Sequence, residues 1–423
     1  MKDLWGVLAR QRDYRLMLSA GLISLTGDWL LRTGLAFQIY ILTGSTLASG
    51  GLLLASFVPP VVLGSLAGVF VDRWDRRKTM IVTNVLNAVV LLPLVAVRDE
   101  SAIWIVYGVV LAQSCLQQFF TPAEQSLVPA LVESQQLVTA NALNSQIRDV
   151  ARLVGAALGG VLAAVGGLTL LAVADAATFL VAVLLLAGIK HRVERPVEEQ
   201  SAEEAAGGAI HRLQAEWTEG VRLCVASSGM RLLFIFCVVT GVGEGVMSTL
   251  FAPFVSSELG GDGTAYGLIV SSQAIGGVAG GLIAAAVGSR LPAATMLGVG
   301  ASLFGLVDLT LFFYPLVSDS LIPAFACMIV VGVPGAFTIA GLMTLLQRLT
   351  EDGARGRVFG AIGAVEGVAV LIGILAAGVL GDAIGIIPVL AFQGLGYVVG
   401  GLVILARRRV LAPLPEPAHH LTA

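Results

Sequence analysis

Nine ionisable side chains interrupt stretches of sequence that are otherwise apolar: Asp28, Arg32, Arg148, Asp149, Arg152, Asp175, Glu244, Asp308 and Glu366. A charge at the centre of a bilayer costs about 2.5–3.5 kcal/mol even on a lenient insertion scale, so each one needs a partner, a wet cavity or a task. Two of them form a pattern. Asp28 and Glu244 lie 216 residues apart, Ser24 and Thr240 stand four residues before them, and Arg32 and Ser248 stand four residues after. Spacing of four keeps such a stripe on one helix face. A pair of carboxylates near mid-span can exchange protons, and a cationic substrate would compete with the proton for the same oxygen atoms. All four histidines (His191, His211, His419 and His420) fall outside the apolar stretches, so an imidazole relay within them is excluded. Asp28 also admits a plainer reading, an i,i+4 pair with Arg32.

Three further groups carry charge at telling places. Arg148 and Arg152 share a helix face, with Asp149 in reach of Arg152 at i+3. An offset of 218 brings Arg148 to Glu366, which suggests an ion pair holding one conformation closed, or else a packing salt bridge. Gln113, Gln117 and Thr121 form a polar stripe that would serve substrate contact or interhelical hydrogen bonding. The segment GVFVDRWDRRK at 68–78 joins two apolar runs through Gly68, Asp72, Arg73, Asp75, Arg76, Arg77 and Lys78. Its cations would anchor the loop on one side of a membrane. Its Asp72 would pair with cations or a helix N-terminus elsewhere.

The elements that must position these residues are helices in lipid. Hydrophobic residues make up 57% of the 423 positions and charged residues 13%, half the charged fraction of an ordinary soluble domain. Twelve apolar runs long enough to cross a bilayer are expected, at about 14–40, 47–71, 79–97, 102–124, 141–165, 168–188, 229–254, 264–288, 294–314, 322–346, 359–381 and 386–406. With these boundaries 21 of the 25 Lys and Arg residues fall on one side and only Arg98 on the other. That asymmetry places both termini in the cytoplasm. The basic start reads as a cytoplasmic lead-in and not a cleaved signal.

The chain divides at a charged linker. The expected units are a six-helix bundle over 1–189, a cytoplasmic linker over 190–228, a second six-helix bundle over 229–410 and a tail over 411–423. Within the linker, Ile210, Leu213, Trp217, Val221 and Cys224 recur at helical spacing, an amphipathic segment for the membrane surface or for the protein's own end. The stretch 62–80 aligns without a gap on 278–296, and 155–162 on 373–380. Two bundles related as parallel repeats are the plan of a transporter with its site at the repeat interface. No G-x-x-x-x-G-K-[ST] loop occurs, which argues against an ATP-driven pump. No metal-ligand spacing is visible, and the four cysteines are scattered.

GVFVDRWDRRK (68–78) resembles the loop between helices 2 and 3 of the major facilitator superfamily, G-x-x-x-D-R-x-G-R-R/K. RLVGAALGG (152–160), PAEQSLVPALVESQQLVTANAL (122–143) and GDWLLRTGLAFQIYILTGS (27–45) are similar to its branch of macrolide and tetracycline efflux pumps and the enterobactin exporter. Asp75 stands where the loop pattern has Gly, and Ala151 and Ala156 replace the Gly and Pro of an antiporter helix-5 pattern. The resemblance implies an all-α membrane protein of twelve helices in two pseudo-symmetric bundles, with the loop stabilising an outward-facing state. The expected function is non-enzymatic: proton-driven efflux of amphipathic small molecules, such as antibiotics, by a monomer in the inner membrane. Its partners would be the substrate, protons and the bilayer, with no cofactor and no nucleic acid. The site would use Asp28, Glu244, Arg32, Gln113 and Gln117. The alternatives are export of a siderophore or other metabolite, and a non-transporting membrane sensor or scaffold.

Overall fold

The computed structural model describes residues 11–71, 74–132, 137–190, 219, 221–287, 290–350 and 355–411. Among these residues the structure is helical, without strands. Helices α1 (Arg12–Thr43), α2 (Thr46–Val71), α3 (Arg76–Val90) and α4 (Ile103–Leu131) run alternately up and down. The continuous run Leu137–Ala187 breaks at Gly167, whose φ of 56° and ψ of −149° are open to glycine and strained for any other residue. The part before Gly167 is α5 and the part after it α6. The second half holds α7 (Ser228–Pro253), α8 (Gly263–Val287), α9 (Ala293–Phe313), α10 (Ile322–Leu349), α11 (Arg355–Ile384) and α12 (Ile386–Ala406). Nine segments among the described residues are long and apolar enough to cross a membrane, one of them the broken run through α5 and α6.

Each half buries its own cores. Tyr14, Met17, Phe120, Leu127 and Leu186 pack together in the first half, and Leu233, Phe236, Leu297, Leu345 and Ile404 in the second. The two bundles meet through α5 against α8 and α2 against α11. Glycine makes both approaches possible. A Cβ on Gly267 of α8 would stand 2.5 Å from the Ala156 carbonyl of α5, and one on Gly50 of α2 would stand 3.3 Å from the Ile374 carbonyl of α11.

The charged loop staples its own bundle. Asp75 caps α3 by accepting from the Lys78 amide at 2.9 Å, which accounts for an aspartate where the family loop has glycine. Arg77 donates from Nε to the Leu186 carbonyl at 2.9 Å and from a terminal nitrogen to the Ala187 carbonyl at 2.6 Å. Both carbonyls belong to the last turn of α6, where intrahelical donors run short; that of Leu186 also accepts from the Ile189 amide at 3.2 Å. Arg76 donates to the Ser126 carbonyl of α4 at 3.0 Å. Trp74 stacks on Phe119. Asp72 and Arg73 lie outside the described residues, and Gly68 sits within α2. Of the amphipathic linker segment, Val221 and Cys224 are described. Cys224 is fully buried against the second bundle, so this part packs on the protein's own end. Ile210, Leu213 and Trp217, like the tail beyond Leu411, lie outside the described residues.

Candidate functional site

Asp28 and Arg32 of α1, Arg152 of α5, Glu244 of α7 and Tyr266 of α8 converge where the two bundles face each other. Arg32 and Glu244 are exposed, yet protein surrounds both at mid-helix. They therefore line a solvent-accessible space inside the molecule. The Arg32 guanidinium lies 5.4 Å from the Trp29 ring centre and 5.7 Å from that of Phe57. Arg152 approaches the same indole at 5.9 Å. Two cations thus share one aromatic platform, each within cation–π range.

Arg152 also spans the interface. It donates to Gln273 Oε1 of α8 at 2.7 Å, and about half a turn nearer the closed end the Ser271 hydroxyl lies 2.9 Å from the Leu153 carbonyl and 2.8 Å from that of Gly267 on its own helix. The expected Asp149–Arg152 contact is absent among the described residues, and Asp149 faces solvent. No ion pair within 4 Å joins Asp28 to Arg32 either, because Arg32 turns to the aromatic rings instead. The hydroxyls one turn before each carboxylate are spent locally. Ser24 bonds to the Gly21 carbonyl and Thr240 to that of Phe236, so these two members of the stripe are tied to their own helices.

Aromatic rings cover the site on one side. Phe37 of α1 stacks on Tyr266 at 6.0 Å between centres, and Phe251 of α7 meets the same tyrosine at 6.0 Å. They lie toward the end opposite the charged loop, and that end is closed. Hydrogen bonds from Thr46, Ser45 and Leu47 to α11, and from Arg152 and Ser271 across α5 and α8, join the bundles at mid-span and in that half. The close glycine approaches at Gly50, Gly160, Gly263, Gly267 and Gly378 lie there as well.

Two expected residues go elsewhere. Gln113 approaches Asp175 of α6, and Gln117 donates to Thr121 on its own helix at 3.2 Å. Asp175 is fully buried against the Gly27 backbone, accepts from the Thr178 hydroxyl at 3.1 Å and leaves Oδ2 without a hydrogen-bond partner. The repeat offsets of 216 and 218 carry Gly27 to Gly243 and Asp175 to Gln393. Gln393 indeed packs on Gly243 and donates to Asp308 at 2.8 Å.

The expected Arg148–Glu366 pair does not form. Arg148 pairs at 3.6 Å with Glu124 of α4, inside its own bundle. Glu366 packs beside Gly241 of α7 and feels the charge of Glu244 in the same bundle. The offset of 218 gives repeat equivalence, and equivalent positions in two bundles need not touch. Sequence reasoning missed Glu124, Gln273, Tyr266 and Asp382. Glu124 carried a signal, the one acid in the span between Glu100 and Glu133. Gln273 carried none, since an isolated amide in a small-residue helix is ordinary.

Residues 5–416 match the transmembrane secretion effector family. The chain belongs to that family, a branch of the major facilitator superfamily. It is similar to macrolide efflux protein A of Streptococcus pyogenes, 25% identical over 375 residues that cover 86% of this chain and 88% of the relative. The staphyloferrin A transporter of Staphylococcus aureus is 21% identical over 95% of this chain and 98% of its own. Among solved structures, a bacterial homologue of the iron transporter ferroportin in an inward-facing state superimposes with a TM-score of 0.73, at 15% identity, over 93% of this chain and 98% of that one. The chain is therefore a multi-pass membrane transporter and not an enzyme.

Proposed function

We propose that this transporter is a proton-coupled exporter of amphipathic small molecules in the inner membrane, working by alternating access of two six-helix bundles. The observation that carries the reading is the solvent-accessible space at mid-span, into which one bundle sends Arg32 and the other Glu244. With the charged loop on the cytoplasmic side, the closed end is the outer one, and the state described is inward-facing. Substrate would enter from the cytoplasm or inner leaflet and rest its apolar face on Trp29, Phe57 and the Phe37–Tyr266–Phe251 cover. Glu244, with Asp28 behind it, would exchange its proton for a cationic group. Macrolide efflux by a relative supports this class.

A second reading follows from the two guanidiniums. Neither Arg32 nor Arg152 makes an ion pair within 4 Å among the described residues, and both flank one indole. Such a platform suits a carboxylate-bearing substrate. The two readings differ in the sign of coupling. A cation competes with the proton on Glu244, whereas an anion binds better once Glu244 is neutral.

One experiment separates them. Proteoliposomes with an imposed pH gradient are given a lipophilic cation, a macrolide and a carboxylate siderophore, with wild type and Glu244→Gln compared. The first reading expects proton-driven export of the cations, lost in Glu244→Gln. The second expects siderophore binding that Glu244→Gln retains or tightens. Transport of none of the three, or transport indifferent to the gradient and to Glu244, refutes both.

A further inference from the structure

The outer closure contains a device that the central site does not explain. Asp382, in the last turn of α11, reaches across to the other bundle and adds to the cap of α2, whose own N-cap Ser45 accepts from the Ala48 amide at 3.3 Å. Its Oδ1 accepts from the Thr46 amide at 2.9 Å and lies 2.8 Å from the Thr46 hydroxyl; its Oδ2 accepts from the Ser45 hydroxyl at 3.0 Å and from the Leu47 amide at 3.4 Å. The Thr46 hydroxyl also lies 2.9 Å from the Gly378 carbonyl of α11. The first amides of a helix lack intrahelical partners and carry the positive end of its dipole. A carboxylate is the natural partner for them. Here it comes from 336 residues away, across the one interface that must part if the bundles rock.

The sequence carries the same residue pattern a second time. Helix α2 ends in AGVFVD (67–72) and α11 in AGVLGD (377–382). The two helices run between opposite ends, so the same six-residue pattern places Asp72 at the cytoplasmic end and Asp382 at the outer end. A small residue before Asp382 lets a neighbouring backbone come close: a Cβ on Gly378 would meet the Leu47 Cα at 3.3 Å.

We propose that Asp382 is the latch of the outer gate, holding α2 to α11 in the inward-facing state and releasing the helix 2 N-terminus when the outer side opens. Capping is its means, so neutralising or truncating Asp382 biases the population toward the outward-open state. The expected bias is about tenfold, the effect of removing one helix N-cap.

The test uses the full chain in nanodiscs, in a background without its native cysteines. Leu53, buried between α2 and α11 against Val370 and Ile374, is replaced by Cys and labelled with a membrane-impermeant maleimide. Leu171→Cys, buried inside the first bundle, reports general loosening. Asp382→Ala is expected to speed labelling at position 53 about tenfold while position 171 stays protected. Asp382→Asn, which keeps one acceptor oxygen, is expected to fall between Asp382→Ala and the parent. Unchanged labelling at 53, or equal gains at 53 and 171, overturns the latch. Labelling needs neither substrate nor proton gradient, so its outcome is independent of the transport assay above.

Discussion

Helix α8 offers a paired experiment on what glycine does at an interface. Gly267 faces α5 of the other bundle, where a Cβ would stand 2.5 Å from the Ala156 carbonyl and 2.8 Å from the Gly160 Cα. Gly280, on the same helix, faces α10 of its own bundle, where a Cβ would stand 2.6 Å from the Val333 Cα. Both obstacles are backbone, which cannot rotate away. Each pair of helices must part by close to an ångström to restore ordinary contact. Overpacking of this kind costs about 1–3 kcal/mol, and the gain in helix propensity from Gly→Ala is the same in both variants. The difference lies in which equilibrium bears the cost. In Gly280→Ala it falls on folding, because α8 and α10 stay packed in every state. In Gly267→Ala it falls on the closed outer gate alone and is relieved when that gate opens. A penalty of about 1–3 kcal/mol moves the outward-to-inward ratio roughly five- to a hundredfold. Labelling of Leu53→Cys reads the ratio, and melting in nanodiscs reads stability. Gly267→Ala should speed labelling with little loss of melting temperature; Gly280→Ala should do the reverse. If both variants melt lower and neither changes labelling, α5–α8 contact does not set the state and the rocking interface has been misplaced.

Three other outcomes are expected. Asp75→Ala removes the cap of α3 and should cost about 1 kcal/mol, seen as a small fall in melting temperature with gate labelling unchanged. Arg77→Met removes the guanidinium from the Leu186 and Ala187 carbonyls and should lower the melting temperature further, since it also unties α3 from α6; the same melting assay checks it. Arg148→Gln should destabilise more than Glu124→Gln, because the pair is lopsided: the Glu124 side chain is 9% exposed and that of Arg148 is 51% exposed. Removing the cation strands a buried carboxylate, while removing the acid leaves the cation to water. The difference should be roughly 1 kcal/mol, well below that for a fully buried pair, and equal melting of the two variants would count against it.

Much of the site was legible in the sequence because charge in lipid is costly and therefore conspicuous. Asp28, Arg32, Arg152 and Glu244 all announced themselves as ions in apolar runs, and the repeat offset set Asp28 and Glu244 on equivalent helices. Pairing was not legible. Arg148 matched Glu366 by offset but met Glu124, because neighbours within a bundle are fixed by packing and not by repeat symmetry. Arg32 had Asp28 one turn away and chose two aromatic rings, a choice set by which face of α1 looks inward. Gln113 and Gln117 were correctly read as polar points on a helix face, yet their partners are Asp175 and Thr121 within the first bundle.

By itself the sequence determined the lipid environment, the helical spans, the twofold repeat, the side on which cations collect and the small set of residues able to carry charge through the bilayer. These follow from composition and periodicity, which act residue by residue. Only the tertiary structure decided which end is shut, which cations share Trp29 and which carboxylate caps which helix. Those are relations between segments hundreds of residues apart. Asp382 makes the distinction plain: in the sequence it is one more acid at a helix end, and in the fold it holds the first turn of α2 from the opposite bundle.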